Sequence, residues 1–340
     1  MMYKTVAVVL IAVFTVLLMI NYAPGTAEDE EETGHLYSTT RILMDTTVTI
    51  SVLSSGEDEA RASIEKAFEK IQYVDNLMNN YENSSELSLL NEQGTLNNTN
   101  PDLIYVINKS KYYSESSQGA FDISIFPILE LWKSKFSPGG TYEAPTEEEI
   151  NETLELVDYS SIRIEDSNIT LDKEGMMLTL GGVAKGYAVD LAIRSLRDDG
   201  VEAGFVNAGG DGKYIGHKQV GVPWKVGLQN PDRTEEAIVV MEMEDMAVAT
   251  SGNYERYFND AAKVSHISDP RTGYPSQDLI SVTVITESAM DADAFATAVF
   301  VMGEDDGLEM VERLDGVECL IITSDKRLIR SGGFAEYESI

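Results

Sequence analysis

The sequence predicts an α+β fold: mixed sheets with packed helices, forming a single compact catalytic unit after an N-terminal apolar segment. Three observations carry this. The chain has 340 residues and is 43% hydrophobic, enough to build a sizeable core and too much for a disordered chain. Apolar residues recur with the two-residue period of strands in some stretches and the helical period in others. The two kinds of stretch do not alternate strictly, which disfavours a doubly wound parallel sheet.

In chain order, residues 5–20 are apolar apart from Thr5 and Thr15 and follow Lys4. The stretch is long for the apolar part of a signal peptide and short for a spanning helix. Gly25-Thr26-Ala27 is an acceptable small-residue cleavage site. Residues 1–27 therefore read as a signal peptide or membrane anchor, and the protein is expected outside the cytoplasm, membrane-anchored or secreted. The acidic run 28–32 makes residues 28–36 a solvated linker, and residues 37–340 the folded domain. Sequons at Asn83, Asn97, Asn108, Asn151 and Asn168 are compatible with export.

Residues 47–52 alternate Thr/Val/Thr/Ile/Ser/Val and predict a half-buried strand. Ser55, with Asp58 three residues on, can cap a helix whose apolar face is Ala60, Ile64, Ala67, Phe68, Ile71, Val74 and Met78. A second helix is expected over 102–116. Strands are expected at 178–180, 204–207, 224–228, 238–243 and 281–286, and helices at 184–197 and 289–302. Cys319 is the single cysteine, so no intramolecular disulfide or Cys-based metal site can form; its apolar surroundings predict a core thiol.

With 25 Lys+Arg against 58 Asp+Glu the net charge is −33. That excludes sequence-independent nucleic-acid binding and docking on anionic lipid through a basic patch. A phosphate-bearing ligand would need a metal ion or a local cluster of donors. No P-loop, dinucleotide-binding glycine fingerprint or hydrolase nucleophile elbow occurs. Of the three histidines, His35, His217 and His266, only His266 sits in a dense polar constellation.

Four segments could carry chemistry. Leu180-Gly181-Gly182-Val183-Ala184-Lys185-Gly186-Tyr187 reads as a strand ending in two glycines before a helix, where backbone N–H groups and Lys185 could attract an anion; the alternative is a plain turn. Val206-Asn207-Ala208-Gly209-Gly210-Asp211-Gly212 is either a ligand-facing turn or a glycine-rich hairpin. Residues 265–273 gather His266, Asp269 and Arg271 in a Pro/Gly-shaped loop, either for chemistry or as a turn held by its own side chains. The fourth is the apolar helix 289–302, which contains Asp293 and Thr297 four residues apart on one face. A buried carboxylate needs a partner. Hard oxygen ligands without His or Cys suit Mg²⁺ or Ca²⁺ better than zinc, unless an Arg or the backbone satisfies Asp293 instead. Together these features suggest a Mg²⁺-assisted site for a pyrophosphate-bearing ligand.

The chain resembles the ApbE family of flavin transferases. The blocks that carry the resemblance run in order over most of the sequence: Met44-Asp45-Thr46-Thr47; Met78 and Tyr81 with Ser85-Glu86-Leu87-Ser88 and Leu90-Asn91; Gly119-Ala120-Phe121-Asp122-Ile123-Ser124 with Pro127 and Trp132; residues 181–187; 206–211; 250–254; 266–273; and 281–303. The resemblance implies an exported α+β enzyme that moves FMN from FAD to a Thr or Ser hydroxyl of an acceptor protein, a subunit of a membrane redox complex, and releases AMP. It also implies that Asp293, Thr297 and the Gly182 carbonyl hold Mg²⁺. Met44, Tyr81, Ala120, Phe121, Asp122, Lys185 and His266 would line the FAD site, with Tyr81 and Phe121 as ring walls and His266 as the base. Two positions depart from the family pattern. Thr179 stands where the family usually has Asp, and is retained as a FAD contact; Asp45 stands where it has Gly. Hydrolysis of FAD to FMN and AMP, or flavin storage without catalysis, are the competing functions.

Overall fold

The computed structural model describes residues 34–137, 139–231, 236–253, 257–259, 264–265 and 267–339. The apolar leader, the acidic run 28–32 and His266 lie outside them. No helix among the described residues is long and apolar enough to cross a membrane.

The chain opens with a hairpin of β1 (His35–Leu43) and β2 (Thr46–Ser54). His35 and Leu36, expected in the linker, already belong to β1. Helix α1 (Glu57–Met78) starts later than its capping signal implied: Gly56 occupies the cap, and Ser55 is one residue too early. Glu57, Asp58 and Glu59 in the first turn complement the helix dipole instead. After α1 come α2 (Glu86–Gln93), β3 (Thr95–Leu96), α3 (Pro101–Ser116), α4 (Phe126–Phe136), α5 (Glu147–Leu154), β4 (Ile162–Glu165) and β5 (Asn168–Leu171). Then follow α6 (Ala184–Asp198), β6 (Gly204–Ala208), β7 (Asp211–Ile215), β8 (Trp224–Gln229), β9 (Ala237–Met243), β10 (Met246–Gly252), β11 (Tyr257–Asn259) and β12 (Val264–Ser265). The chain closes with β13 (Leu279–Thr286), α7 (Ala289–Met302), α8 (Glu304–Val311), β14 (Glu318–Thr323) and β15 (Leu328–Arg330).

Eight strands form the main sheet in the order β1-β2-β6-β7-β10-β13-β14-β15, every neighbouring pair antiparallel. Helices α1, α6 and α7 cover one face, where Ile50, Phe68, Ile71, Val189, Val284 and Phe300 share the large core. On the other face a smaller cluster holds Trp224, Met241, Met243, Leu320 and Phe334, with residues from the β8–β9 hairpin. Helices gathered on one face of an antiparallel sheet are the α+β arrangement the sequence predicted.

Residues 178–180 are not a strand. The Asn91 side chain takes both main-chain groups of Leu178, donating to its carbonyl at 2.8 Å and accepting from its N–H at 2.7 Å, while the Thr179 N–H donates to the Ile123 carbonyl at 2.8 Å. Burial of Leu178 and Leu180 on either side of Thr179 produced the strand-like pattern without a strand partner. Cys319 is fully buried on β14, as its apolar run predicted.

Candidate functional site

The site is built around α7, which is buried on nearly every side. Its first turn is fastened to α6 by Asp190, which accepts hydrogen bonds from Ser288 Oγ (2.8 Å), Ala289 N–H (3.1 Å) and Met290 N–H (3.0 Å) and pairs with Lys213 Nζ at 3.2 Å. A carboxylate at a helix N-terminus with an ammonium beside it is satisfied twice over. The helices approach so closely that a β-carbon on Gly186 would stand 2.2 Å from the Ala289 carbonyl oxygen.

That approach brings Asp293 against the start of α6. Asp293 is 4% exposed. Its Oδ2 accepts from Gly186 N–H at 3.1 Å, and Lys185 Nζ lies 3.2 and 3.4 Å from its two oxygens. The same ammonium is ion-paired with Asp211, the first residue of β7, which is 2% exposed. The other oxygen of Asp211 accepts from the Thr250 N–H of β10 at 3.3 Å. The Asp211 carboxyl is pushed up to about 6, chiefly by burial, with Lys185 lowering it and Asp293 raising it. Among the described residues, two buried carboxylates thus share one ammonium and are one positive charge short.

Thr297 lies one turn beyond Asp293, its hydroxyl 3.2 Å from Ser251 Oγ on β10. A β-carbon on Gly182 would stand 3.2 Å from that hydroxyl and 3.3 Å from the Phe121 ring. The structure therefore brings Gly182, Asp293 and Thr297 together where α6, β10 and α7 meet. A carboxylate, a hydroxyl and a main-chain carbonyl are hard oxygen donors, and the uncompensated negative charge beside them calls for a cation. The donor set fits Mg²⁺, which commonly uses one or two protein carboxylates, and not zinc. Among the described residues there is no cluster of three or more His, Cys, Asp or Glu that could hold a metal without other donors.

Of the remaining predicted residues, Ala120, Phe121 and Asp122 are buried, and Phe121 reaches Gly182. Phe121 packs edge-on against Tyr113 and backs Gly182. Asp122 is committed to the backbone: one oxygen accepts from Ser124 N–H and Oγ, the other from Tyr159 N–H, and burial raises its carboxyl above the usual range against the pull of those bonds. Tyr81, by contrast, is 63% exposed, edge-on to Phe126 with Lys133 Nζ 4.7 Å from its ring centre. Thr179 sits between Asn80 and Gly181, its hydroxyl donating to Asn80 Oδ1 at 3.4 Å and accepting from Gly181 N–H at 3.3 Å. Among the described residues the buried amide nitrogen of Asn80 has no hydrogen-bond partner.

Met44 and Asp45 form the tip of the β1–β2 hairpin, with φ of 51° and 56°. That left-handed pair explains the need for glycine or a tolerant residue at position 45, and Asp is among the residues that accept it. The tip meets a second one: a β-carbon on Gly209 would stand 2.3 Å from Thr46 Oγ1. The segment 206–212 is a hairpin whose Gly209 and Gly210 N–H groups are spent on the Thr47 carbonyl (3.0 Å) and Asn207 Oδ1 (3.3 Å). Its contribution to the site is the placement of Asp211. In the 267–273 loop, Arg271 Nε and Nη2 grip Asp269 at 2.9 Å each, and the Gly273 carbonyl accepts from Trp132 Nε1 at 2.8 Å. That part of the loop is a self-held turn; His266 beside it lies outside the described residues.

Asp211, Ser251 and Asn80 were not assigned roles from sequence. All three fall inside or beside recognised blocks, but a buried Asp at a hairpin end has the local appearance of an ordinary turn residue.

The chain is similar to known proteins. The model of the ApbE family matches residues 44–321. The FAD:protein FMN transferase of Vibrio cholerae is 31% identical over 275 residues, covering 79% of this chain and 80% of that protein. That of Haemophilus influenzae is 31% identical over 308 residues, covering 86% and 88%. The crystal structure of the ApbE protein of Thermotoga maritima is similar with a TM-score of 0.82 at 32% identity, covering 90% of this chain and all (100%) of that one. The flavin transferase ApbE of Vibrio cholerae has a TM-score of 0.78 at 27% identity, covering 89% and 99%.

Proposed function

The chain belongs to the ApbE family, and from that premise we propose that it is a flavin transferase that moves FMN from FAD to a Thr or Ser hydroxyl of an acceptor protein and releases AMP, with Mg²⁺ as its metal. One observation carries the metal-assisted reading: Asp293 and Thr297, one turn apart on an otherwise apolar buried helix, lie beside Gly182 in a cluster where, among the described residues, two carboxylates share the one ammonium of Lys185. Burying two carboxylates against one ammonium is costly, and a bound cation would offset that cost.

In the reaction, the acceptor hydroxyl oxygen attacks the FMN-side phosphorus of FAD. The bond from that phosphorus to the bridging oxygen breaks, AMP departs with that oxygen, and the hydroxyl proton passes to a base, for which His266 is the candidate on its sequence block. A divalent ion bound by these oxygens would neutralise pyrophosphate charge and charge on the departing AMP. The chain's own part is positioning: the Gly181-Gly182 approach to α6 admits the pyrophosphate closely, Lys185 supplies a cation at its edge, and the buried floor of Ala120 and Phe121 excludes water. Thr179 and Asn80 offer neutral polar groups where the family pattern has an acid. The reaction belongs outside the cytoplasm, the leader serving as anchor or signal, with a subunit of a membrane redox complex as acceptor.

The test is incubation of the chain with FAD, Mg²⁺ and a candidate acceptor domain. Flavin fluorescence on the denatured acceptor, with AMP in equal amount, is the expected result. AMP without labelled protein would make the enzyme a FAD hydrolase, and bound FAD without either product a storage protein. FAD binding should weaken strongly in excess chelator; undiminished binding would contradict the metal's role. His266→Ala should slow transfer by ~10²-fold or more while FAD stays bound. Lost binding would make His266 a ligand contact rather than the base.

A further inference from the structure

We propose that Lys185 is a tethered counter-ion that stands in for metal charge between Asp211 and Asp293, and that Asp211 is the positioning residue that draws the ammonium aside when a divalent cation reaches Asp293. This rests on the metal reading above and goes beyond it, because it concerns two residues outside the set of metal-binding oxygens.

The geometry is asymmetric. Lys185 Nζ is 3.2 and 3.4 Å from the oxygens of Asp293, longer than a tight charge-assisted bond, and closer than that to Asp211. Asp211 is itself anchored on the opposite side by Thr250 N–H at 3.3 Å, so it is a fixed post on the sheet. Asp293 is anchored by Gly186 N–H at 3.1 Å on the helix side. Between these posts stands a compact charge on a flexible four-carbon stem, able to shift without moving either helix or sheet. If Asp293 were its only partner, a cation arriving there would repel the ammonium and take its carboxylate. Asp211 removes that penalty, since the ammonium keeps a full ion pair throughout. The sum over Lys185, Asp211 and Asp293 is −1; a divalent cation makes it +1, the sign a pyrophosphate requires. In a chain of net charge −33, that local reversal is what lets an anionic ligand enter.

The test uses Mn²⁺ alone, titrated into the full chain without FAD by calorimetry and by electron paramagnetic resonance of the free ion. Lys185→Met should bind Mn²⁺ about tenfold more tightly than wild type, because the competing cation is gone. Asp211→Asn should bind it about tenfold more weakly, because the ammonium then falls back on Asp293. In the Lys185→Met background the same Asp211→Asn change should cost clearly less than in wild type. That coupling separates a residue acting through Lys185 from one acting by its own charge. Circular dichroism confirms folding, and Lys185→Gln serves if the Met variant does not fold. Unchanged or weaker Mn²⁺ binding in the folded Lys185 variant would overturn the inference, as would an undiminished Asp211→Asn effect in its background. If wild type bound no Mn²⁺, the metal reading would fall together with the inference; normal wild-type binding with unshifted variants would sink the inference alone.

Discussion

Two groups of charge lie within two turns of each other along α7, one half-buried and one resting on buried carboxylates, and they are built to opposite specifications. At the first turn, one carboxylate, Asp190, meets one ammonium, Lys213, and also takes Ser288 and two helix N–H groups. One turn on, two carboxylates, Asp211 and Asp293, share the single ammonium of Lys185. The first group is closed: Asp190 has its ammonium and the helix end supplies the rest. Among the described residues the second is open by one charge and faces Gly182 and Thr297. The difference separates a charge that fastens a helix from a charge that waits for a ligand, although both are Asp–Lys contacts.

Breaking the open group should abolish function and spare the fold. Asp293→Ala should lower flavin transfer by ~10²–10³-fold or more, the scale on which loss of a principal electrostatic group acts. Its melting temperature should hold, since Lys185 keeps Asp211. Unchanged turnover would refute the metal assignment. Breaking the closed group should do the reverse. Asp190→Ala leaves Lys213 without its carboxylate and the Ala289 and Met290 N–H groups without their acceptor, and should cost about 2 kcal/mol in denaturant unfolding. Turnover per folded molecule should change only slightly. A large kinetic effect with intact stability would erase the distinction between the groups.

Gly186 links the two. Its substitution by Ala forces a β-carbon toward the Ala289 carbonyl and pries α6 from α7, with an expected loss of about 1–3 kcal/mol. Both stability and Mn²⁺ affinity should fall in this one variant, whereas each Asp variant moves mainly one of them. The mildest comparison is with Cys319, an ionisable group that solves burial by staying neutral. Burial pushes its thiol from 9.0 up to about 12. Above pH 9 the unfolded chain therefore loses a proton that the native chain keeps, and stability should fall as the pH rises from 9 toward 12. Cys319→Ala should flatten that decline in alkaline unfolding curves; an identical decline would assign it to other groups.

The open group was partly legible in the sequence, because Asp293 and Thr297 stand out in a helix that is otherwise apolar. Gly182 and Lys185 were legible through their glycine-rich block. Asp211 was quoted within a block but read as part of a turn. Its burial is set by β10 and α6, neither of which is signalled locally. The closed group was not legible at all, since Asp190, Lys213 and Ser288 come from a helix, a strand and a loop and none breaks an apolar pattern. Strands and helices with clear periodicity were found nearly to the residue, as at Ala289–Met302. Residues 178–180 misled because burial alternates there while the hydrogen bonds go to Asn91 and Ile123. Ser55 misled because a capping residue is defined by where the helix begins, and three acids in the first turn moved that point.

The spacing of the open group along the chain has a kinetic meaning. Lys185 lies 26 positions before Asp211 and 108 before Asp293. A growing chain can close the short loop early, but the long one must wait until α7 has been made, and long loops are the slow ones to close. A polypeptide halted before residue 293 can hold its lysine on Asp211 alone, with no seat for a cation. Metal uptake would thus mark completion: a nascent or truncated chain could fold its first helices and remain blind to flavin until α7 arrives.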